Sequence, residues 1–84
     1  LNAITRSLAM EYAKDGIRVN AVAPGVVATP LLGKVPKDFL RSLSPLGQIG
    51  ASQDIADAVL YLVEASQVTG EVLHVNGGSH LGKW

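Results

Sequence analysis

The stretch Ile17 to Pro30, IRVNAVAPGVVATP, decides the fold. Ile17, Val19, Ala21 and Ala23 alternate with Arg18, Asn20 and Val22, and β-branched residues are frequent enough to predict a strand over Arg18 to Val22. Pro24-Gly25 ends it. Proline removes a ladder donor and glycine frees the backbone, so the chain turns at the carboxyl end of a strand, where open α/β sheets hold their ligands. Asn20 places an amide inside the strand. Such a group needs hydrogen bonds to offset its burial, so it reads as a structural tie from strand to helix, not as a reacting group.

Before this stretch, Leu1, Ile4, Leu8 and Tyr12 recur at steps of three and four, which predicts a helix from Leu1 to Lys14. Ala3, Ala9, Met10 and Ala13 make much of its remaining surface small or apolar, so it is expected to be covered on more than one side. Lys14 and Gly16 mark its end, and no capping residue marks its start, as in a helix cut within its first turns. After Pro30, residues 31–51 form a long excursion carrying Gly33, Pro36, Pro45, Gly47 and Gly50, and loops of that length tend to be lids or binding loops. Pro36 is placed to open a short helix with Phe39, Leu40 and Leu43 on one side. Ser52 then reads as the cap of a second long helix, with Asp54 in its first turn and an apolar stripe of Ile55, Ala56, Val59, Leu60, Leu62 and Val63 reaching Ala65. Thr69-Gly70 breaks the chain before a strand from Glu71 to Val75. The two strands lie about fifty residues apart with a helix between them, which predicts adjacent, parallel pairing. The order helix, strand, lid loop, helix, strand is that of an α/β sheet.

The segments AMEYAKDG, RVNAVAPG, VVATP and TGEVLHVNGG, in this order, resemble the C-terminal third of the short-chain dehydrogenase/reductase family, and the resemblance runs from LNAITR to VNGG. It implies an incomplete, doubly wound Rossmann-type parallel sheet. Residues 1–84 would be one partial domain, the C-terminal third of a dinucleotide-binding oxidoreductase domain, with residues 31–51 as its substrate lid. The parent protein would use NAD or NADP to move a hydride between the nicotinamide and an alcohol or carbonyl substrate, as a homodimer or homotetramer. By the same resemblance Pro24 and Gly25 lie along the nicotinamide ring, the Val27 backbone hydrogen-bonds its carboxamide, and Thr29 uses hydroxyl and backbone on the carboxamide or pyrophosphate. Asn76-Gly77-Gly78 stands where the family has Asp-Gly-Gly and reads as a tight turn, while Gln48 replaces an arginine common in the segment corresponding to SPLGQIG.

The family's glycine-rich loop, catalytic serine and Tyr-x-x-x-Lys pair have no counterpart in this sequence. Tyr12 is followed four residues later by Gly16, and Tyr61 by Ala65. No catalytic residue is therefore assigned, and the chain is expected to be an inactive piece of an oxidoreductase. The alternative is a non-catalytic structural or dimerising polypeptide, and a third reading is an unrelated α/β binding module.

Composition narrows the partners. Seven lysines and arginines balance seven acids, and the cations are scattered without a basic stripe, which excludes a nucleic-acid binder. No apolar run approaches the ~18 residues that a bilayer requires, so no membrane is expected. The sequence has no cysteine and shows no targeting segment, which points to a reducing compartment, the cytoplasm. His74 and His80 have no cysteine or carboxylate at ligand spacing, so no metal site is assigned. Ser79, His80 and the acids Asp54 and Asp57 lack the strand-turn-helix elbow of a hydrolase triad. Lys34, Lys37 and Arg41 read as solvating the lid.

If the resemblance holds, the codons upstream of Leu1 encode Tyr-x-x-x-Lys in frame, with the lysine about three residues before Leu1, since residues four apart share a helical face. Sequencing that region checks it, and any other residue at the tyrosine position would remove the oxidoreductase assignment.

Overall fold

The computed structural model describes residues 1–82. Helix α1 spans Asn2–Tyr12 and tightens into a 3₁₀ turn at Ala13–Asp15. Strand β1 is Ala21–Pro24, a short helix α2 is Lys37–Arg41, helix α3 is Ser52–Glu64 and strand β2 is Val72–Val75. The strands pair in parallel, Ala21 against Val72 through Pro24 against Val75, as the spacing predicts. Helix α3 packs against both of them.

β1 begins later and ends later than the residue pattern suggests. Arg18, Val19 and Asn20 lie ahead of the strand, and their polar groups serve the chain around α3 instead of a ladder. The Arg18 guanidinium donates to the carbonyls of Leu62 at 2.7 Å, Val63 at 2.7 Å and Val68 at 3.2 Å. These include carbonyls of the last turn of α3, which lack intrahelical partners and form the negative end of the helix dipole. The Asn20 amide donates to the Val68 carbonyl at 2.9 Å and accepts from the Glu71 N–H at 3.0 Å. It ties the strand to the loop after α3, while the tie to the helix itself comes from Arg18. Thr69 Oγ1 accepts from the Val19 N–H, and the Gly70 N–H donates to the Val19 carbonyl at 2.7 Å. Pro24 closes the ladder as its last residue, where a missing N–H costs little, and the Gly25 N–H reaches the Val75 carbonyl at 3.2 Å.

Gly16, at φ 72°, ends the first helix as expected, with the Gly16 N–H on the Ala13 carbonyl and the Ile17 N–H on that of Tyr12. The start of α3 differs from expectation. Ser52 is its first helical residue and Ala51 its cap, so the capping bond runs backwards, with the Asp54 carboxylate accepting from the Ala51 N–H at 2.8 Å. Asp54 thereby satisfies the backbone N–H of the cap residue, while alanine, with no side-chain acceptor, gives nothing back to the first turn.

Burial departs most from the periodicity. In α1 the buried residues are Thr5 and Ala9, whereas Ile4 and Leu8 of the apolar stripe are exposed. Ala9 lies beside Gly70, within ordinary van der Waals reach of a β-carbon there, so α1 is seated through its small residues. In α3 the buried pair is Ala58 and Leu62, while Val59, Leu60, Tyr61 and Val63 remain exposed. With Ala9 and with Leu40 of the 31–51 excursion, these are the buried apolar residues among those described. The radius of gyration is 15.1 Å, against about 12 Å for a compact domain of this length.

Two outcomes follow. The 84-residue polypeptide alone will melt broadly at low temperature, because so small a core offsets little of the chain entropy; a sharp cooperative melt from a monomer, followed by circular dichroism, would contradict this. In the complete natural polypeptide carrying this sequence, Arg18→Ala will cost about 1–3 kcal/mol in urea denaturation, since it removes charge-assisted hydrogen bonds from the end of α3, whereas Lys14→Ala will be near neutral.

Candidate functional site

Pro24 and Gly25 are exposed at the carboxyl end of β1, and the backbone passes from them into a second parallel contact. Val27 bridges Gly50, with the Gly50 N–H on the Val26 carbonyl at 2.9 Å and the Ala28 N–H on the Gly50 carbonyl at 2.7 Å. In a parallel ladder the residue between two such bonds turns its own N–H and C=O to the opposite side. Val27 therefore presents both backbone groups away from Gly50, and neither enters a hydrogen bond among the described residues. Unpaired backbone groups at a half-buried position call for a partner.

Thr29 follows as the residue that leads into a 3₁₀ turn at Pro30–Leu32. Its carbonyl accepts from the Leu32 N–H at 3.0 Å, while its exposed hydroxyl makes no capping bond. The structure thus brings Pro24, Gly25, Val27 and Thr29 into one turn and leaves the Val27 backbone and the Thr29 hydroxyl available. Such an array can orient a planar amide. It contains no group that transfers a proton, and Tyr12 and Tyr61 lie on α1 and α3, outside the turn.

The Val27–Gly50 bridge also fastens the far end of the 31–51 excursion to the turn. A second fastening joins the Leu46 N–H to the Gly77 carbonyl at 3.1 Å. Ahead of both points α2 buries Leu40 and leaves Phe39 exposed, as is Leu43 just beyond the helix, so the expected apolar side is only partly used. Lys34, Lys37 and Arg41 are exposed, and Arg41 pairs with Asp38 at 3.4 Å. A cleft of about 640 Å³ lies under this excursion, lined by Gly25, Val26, Leu40, Ser44, Asp54 and His74 among others. Pro24, Val27 and Thr29 lie outside its lining, so cleft and turn meet only at Gly25 and Val26.

The turn after β2 holds what the sequence reading missed. The Asn76 side-chain oxygen accepts from the Gly78 N–H at 3.0 Å and lies 3.0 Å from His80 Nδ1. His80 in turn stacks on His74, with centroids 3.9 Å apart and planes 8° from parallel. The spacing of the two histidines suggests no ligand pair, and only the 3₁₀ turn at Ser79–Leu81 folds one ring over the other. At Gly25 the required absence of a side chain has a definite cause, because a Cβ there would lie 2.6 Å from Asn76 Cβ. The sequence suggests a glycine that frees the backbone for a turn; φ there is not positive, and the neighbouring strand end demands glycine for space.

Comparison with known proteins agrees with the geometry. The sequence matches the family described as enoyl-(acyl carrier protein) reductase over residues 1–80. Carbonyl reductase family member 4 of Xenopus laevis is 44% identical over 77 residues, and that match covers 92% of this chain and 33% of the relative. The 7alpha-hydroxysteroid dehydrogenase of Paraclostridium sordellii is 44% identical over 89 residues, 98% of this chain and 33% of the relative. Among solved structures, ElxO with NADP bound superimposes with a TM-score of 0.87 at 31% identity, over 96% of this chain and 36% of that one. A 4-hydroxyisoleucine dehydrogenase mutant complexed with NADH and succinate gives 0.85 at 33% identity, over 99% and 37%. The chain spans about a third of the length of the curated relatives it matches. With the parallel β1–β2 pair and the Pro24-Gly25 turn at its carboxyl end, these matches establish that the chain belongs to the short-chain dehydrogenase/reductase family.

Proposed function

We propose that residues 17–30 form the nicotinamide-side turn of an NAD- or NADP-dependent oxidoreductase whose substrate is an alcohol or a carbonyl compound. Residues 1–84 would be the C-terminal third of its dinucleotide-binding domain, and residues 31–51 its substrate lid. The observation that carries this reading is the Val27 backbone, whose N–H and C=O both face out of the turn without partners among the described residues. A planar carboxamide offers one acceptor and one amino group, which matches that pair of backbone groups. The names of the relatives, dehydrogenases and reductases, and the NADP and NADH in the superimposed structures support the same cofactor class.

The nicotinamide ring, when bound, supplies the hydride donor or acceptor. Val27 would donate its N–H to the carboxamide oxygen and accept from the carboxamide amino group, fixing the rotation of the ring and hence the face offered to substrate. The Thr29 hydroxyl would hold the carboxamide or the pyrophosphate. Pro24 and Gly25 would bring the backbone alongside the ring, and the Val27–Gly50 bridge would tie the base of the lid to the atoms that orient it. The proton-transfer groups would come from a tyrosine and a lysine outside these 84 residues. Among the described residues no helix is long and apolar enough to cross a membrane, and the cysteine-free composition accords with the cytoplasm.

A second reading rests on the uncovered faces of α1 and α3. Ile4 and Met10 on the first helix and Leu60, Tyr61 and Val63 on the last are exposed, and such apolar surface favours association. It supports a homodimer or homotetramer of the complete protein, or a structural or dimerising polypeptide without redox function.

The test of the cofactor turn uses the complete natural polypeptide and fluorescence titration with NADH and NADPH. Val27→Pro removes an N–H that no ladder bond uses, so the protein folds but binds cofactor at least about tenfold more weakly, while Val27→Ala binds within about threefold of wild type. Equal affinity in the proline variant and wild type would overturn the assignment. Thr29→Val will weaken binding by about threefold to tenfold, the worth of one hydrogen bond, as read in the same titration.

A further inference from the structure

Gly25 and Asn76 meet where the two strands end. A Cβ on Gly25 would lie 2.6 Å from Asn76 Cβ and 2.9 Å from its Cα, both inside the closest approach that carbon atoms tolerate. φ at Gly25 is not positive, so the position demands glycine for space alone. The Asn76 side chain is itself held. Its oxygen accepts from the Gly78 N–H at 3.0 Å, and His80 Nδ1 stands 3.0 Å from the same atom. An amide oxygen only accepts, so this contact is a hydrogen bond in the tautomer that carries its proton on Nδ1. Ring stacking against His74 at 3.9 Å fixes the imidazole from its other side.

From this we infer that Asn76 is a positioning residue for the nicotinamide turn: its β-carbon is a stop against Gly25, and its two hydrogen bonds keep that stop in place. The inference rests on the cofactor reading above. Gly25 leads within two residues to Val27, so a shift of the stop displaces the backbone groups proposed to hold the carboxamide. The family's aspartate at the place of Asn76 would keep the β-carbon and an acceptor oxygen, so the device needs the shape and the acceptor, not the charge.

The experiment uses the complete natural polypeptide, with NADH and NADPH as probes. Asn76→Ala, which keeps Cβ but frees it, should raise the cofactor Kd and KM about threefold to tenfold, with kcat at saturating cofactor unchanged within about twofold. Asn76→Asp should restore wild-type Kd within about twofold, because it supplies the same acceptor. Gly25→Ala should lose more than about tenfold in affinity, and that loss should shrink in the Asn76→Gly background, where the nearest colliding atom is gone. An equal Gly25→Ala penalty in both backgrounds would overturn the inference, as would Asn76 variants that lower Tm but leave Kd and KM untouched. If Val27→Pro loses affinity while the Asn76 variants do not, the cofactor turn stands and only the role of Asn76 falls. A wild-type protein that binds neither NADH nor NADPH removes the cofactor reading and this inference with it.

Discussion

Everything in this chain hangs on the seam where Arg18, Val19 and Asn20 meet the end of α3 and the loop that follows it. The parallel pair is short, from Ala21 to Pro24 against Val72 to Val75, and about fifty residues of loop and helix separate its strands. Closing so long a connection costs entropy that a ladder this short offsets poorly. The seam compensates with Arg18 on the carbonyls of Leu62, Val63 and Val68, and Asn20 on both Val68 and Glu71. Charge-assisted bonds at a helix carboxyl end are favoured by the dipole as well as by geometry. They align α3 with β1 and deliver β2 in register, and that register places Gly25 beside Asn76.

At the opposite end of the strands the constraint is steric. Gly25 and Asn76 leave no room between them, and Gly77 and Gly78, both at positive φ, leave little between themselves and Ser44 and Pro45 of the 31–51 excursion. Turn, excursion and post-strand loop are therefore fitted to one another by the chain's own contacts. The proposed role of the turn requires such fitting, since a backbone donor and acceptor select a partner only when their directions are fixed. The seam sets the register and the contact at Gly25 sets the depth.

How far the sequence was readable depends on how local each signal was. Gly16 ends the first helix because its left-handed φ is a property of one residue, and Pro24-Gly25 ends the strand for similarly local reasons. Pro24, Gly25, Val27 and Thr29 do share one turn, which contiguity alone ensured. The buried faces were not readable in this way. Periodicity marked the Ile4–Leu8 stripe of α1, yet the structure buries Thr5 and Ala9 instead, with Ala9 beside Gly70, a contact between residues about sixty positions apart that no local period encodes. Ser52 carried the usual mark of a cap, but the chain enters α3 one residue earlier and Asp54 does the capping.

The sequence by itself determined the element order, the parallel pairing and the place of the turn, because these follow from hydrophobic period, glycine and proline, and the number of residues between strands. Only the tertiary structure decided what those elements do to one another. It turned Arg18 from one scattered cation into the clamp on α3, and showed that Gly25 is small on account of Asn76. It also brought His80 over His74 and left the Val27 N–H and C=O facing outward. Each of these relations, apart from the short reach between the histidines, joins residues more than twenty positions apart, or depends on which side of a ladder a carbonyl faces. No local pattern encodes them, since they arise only when β1 and β2 come into register.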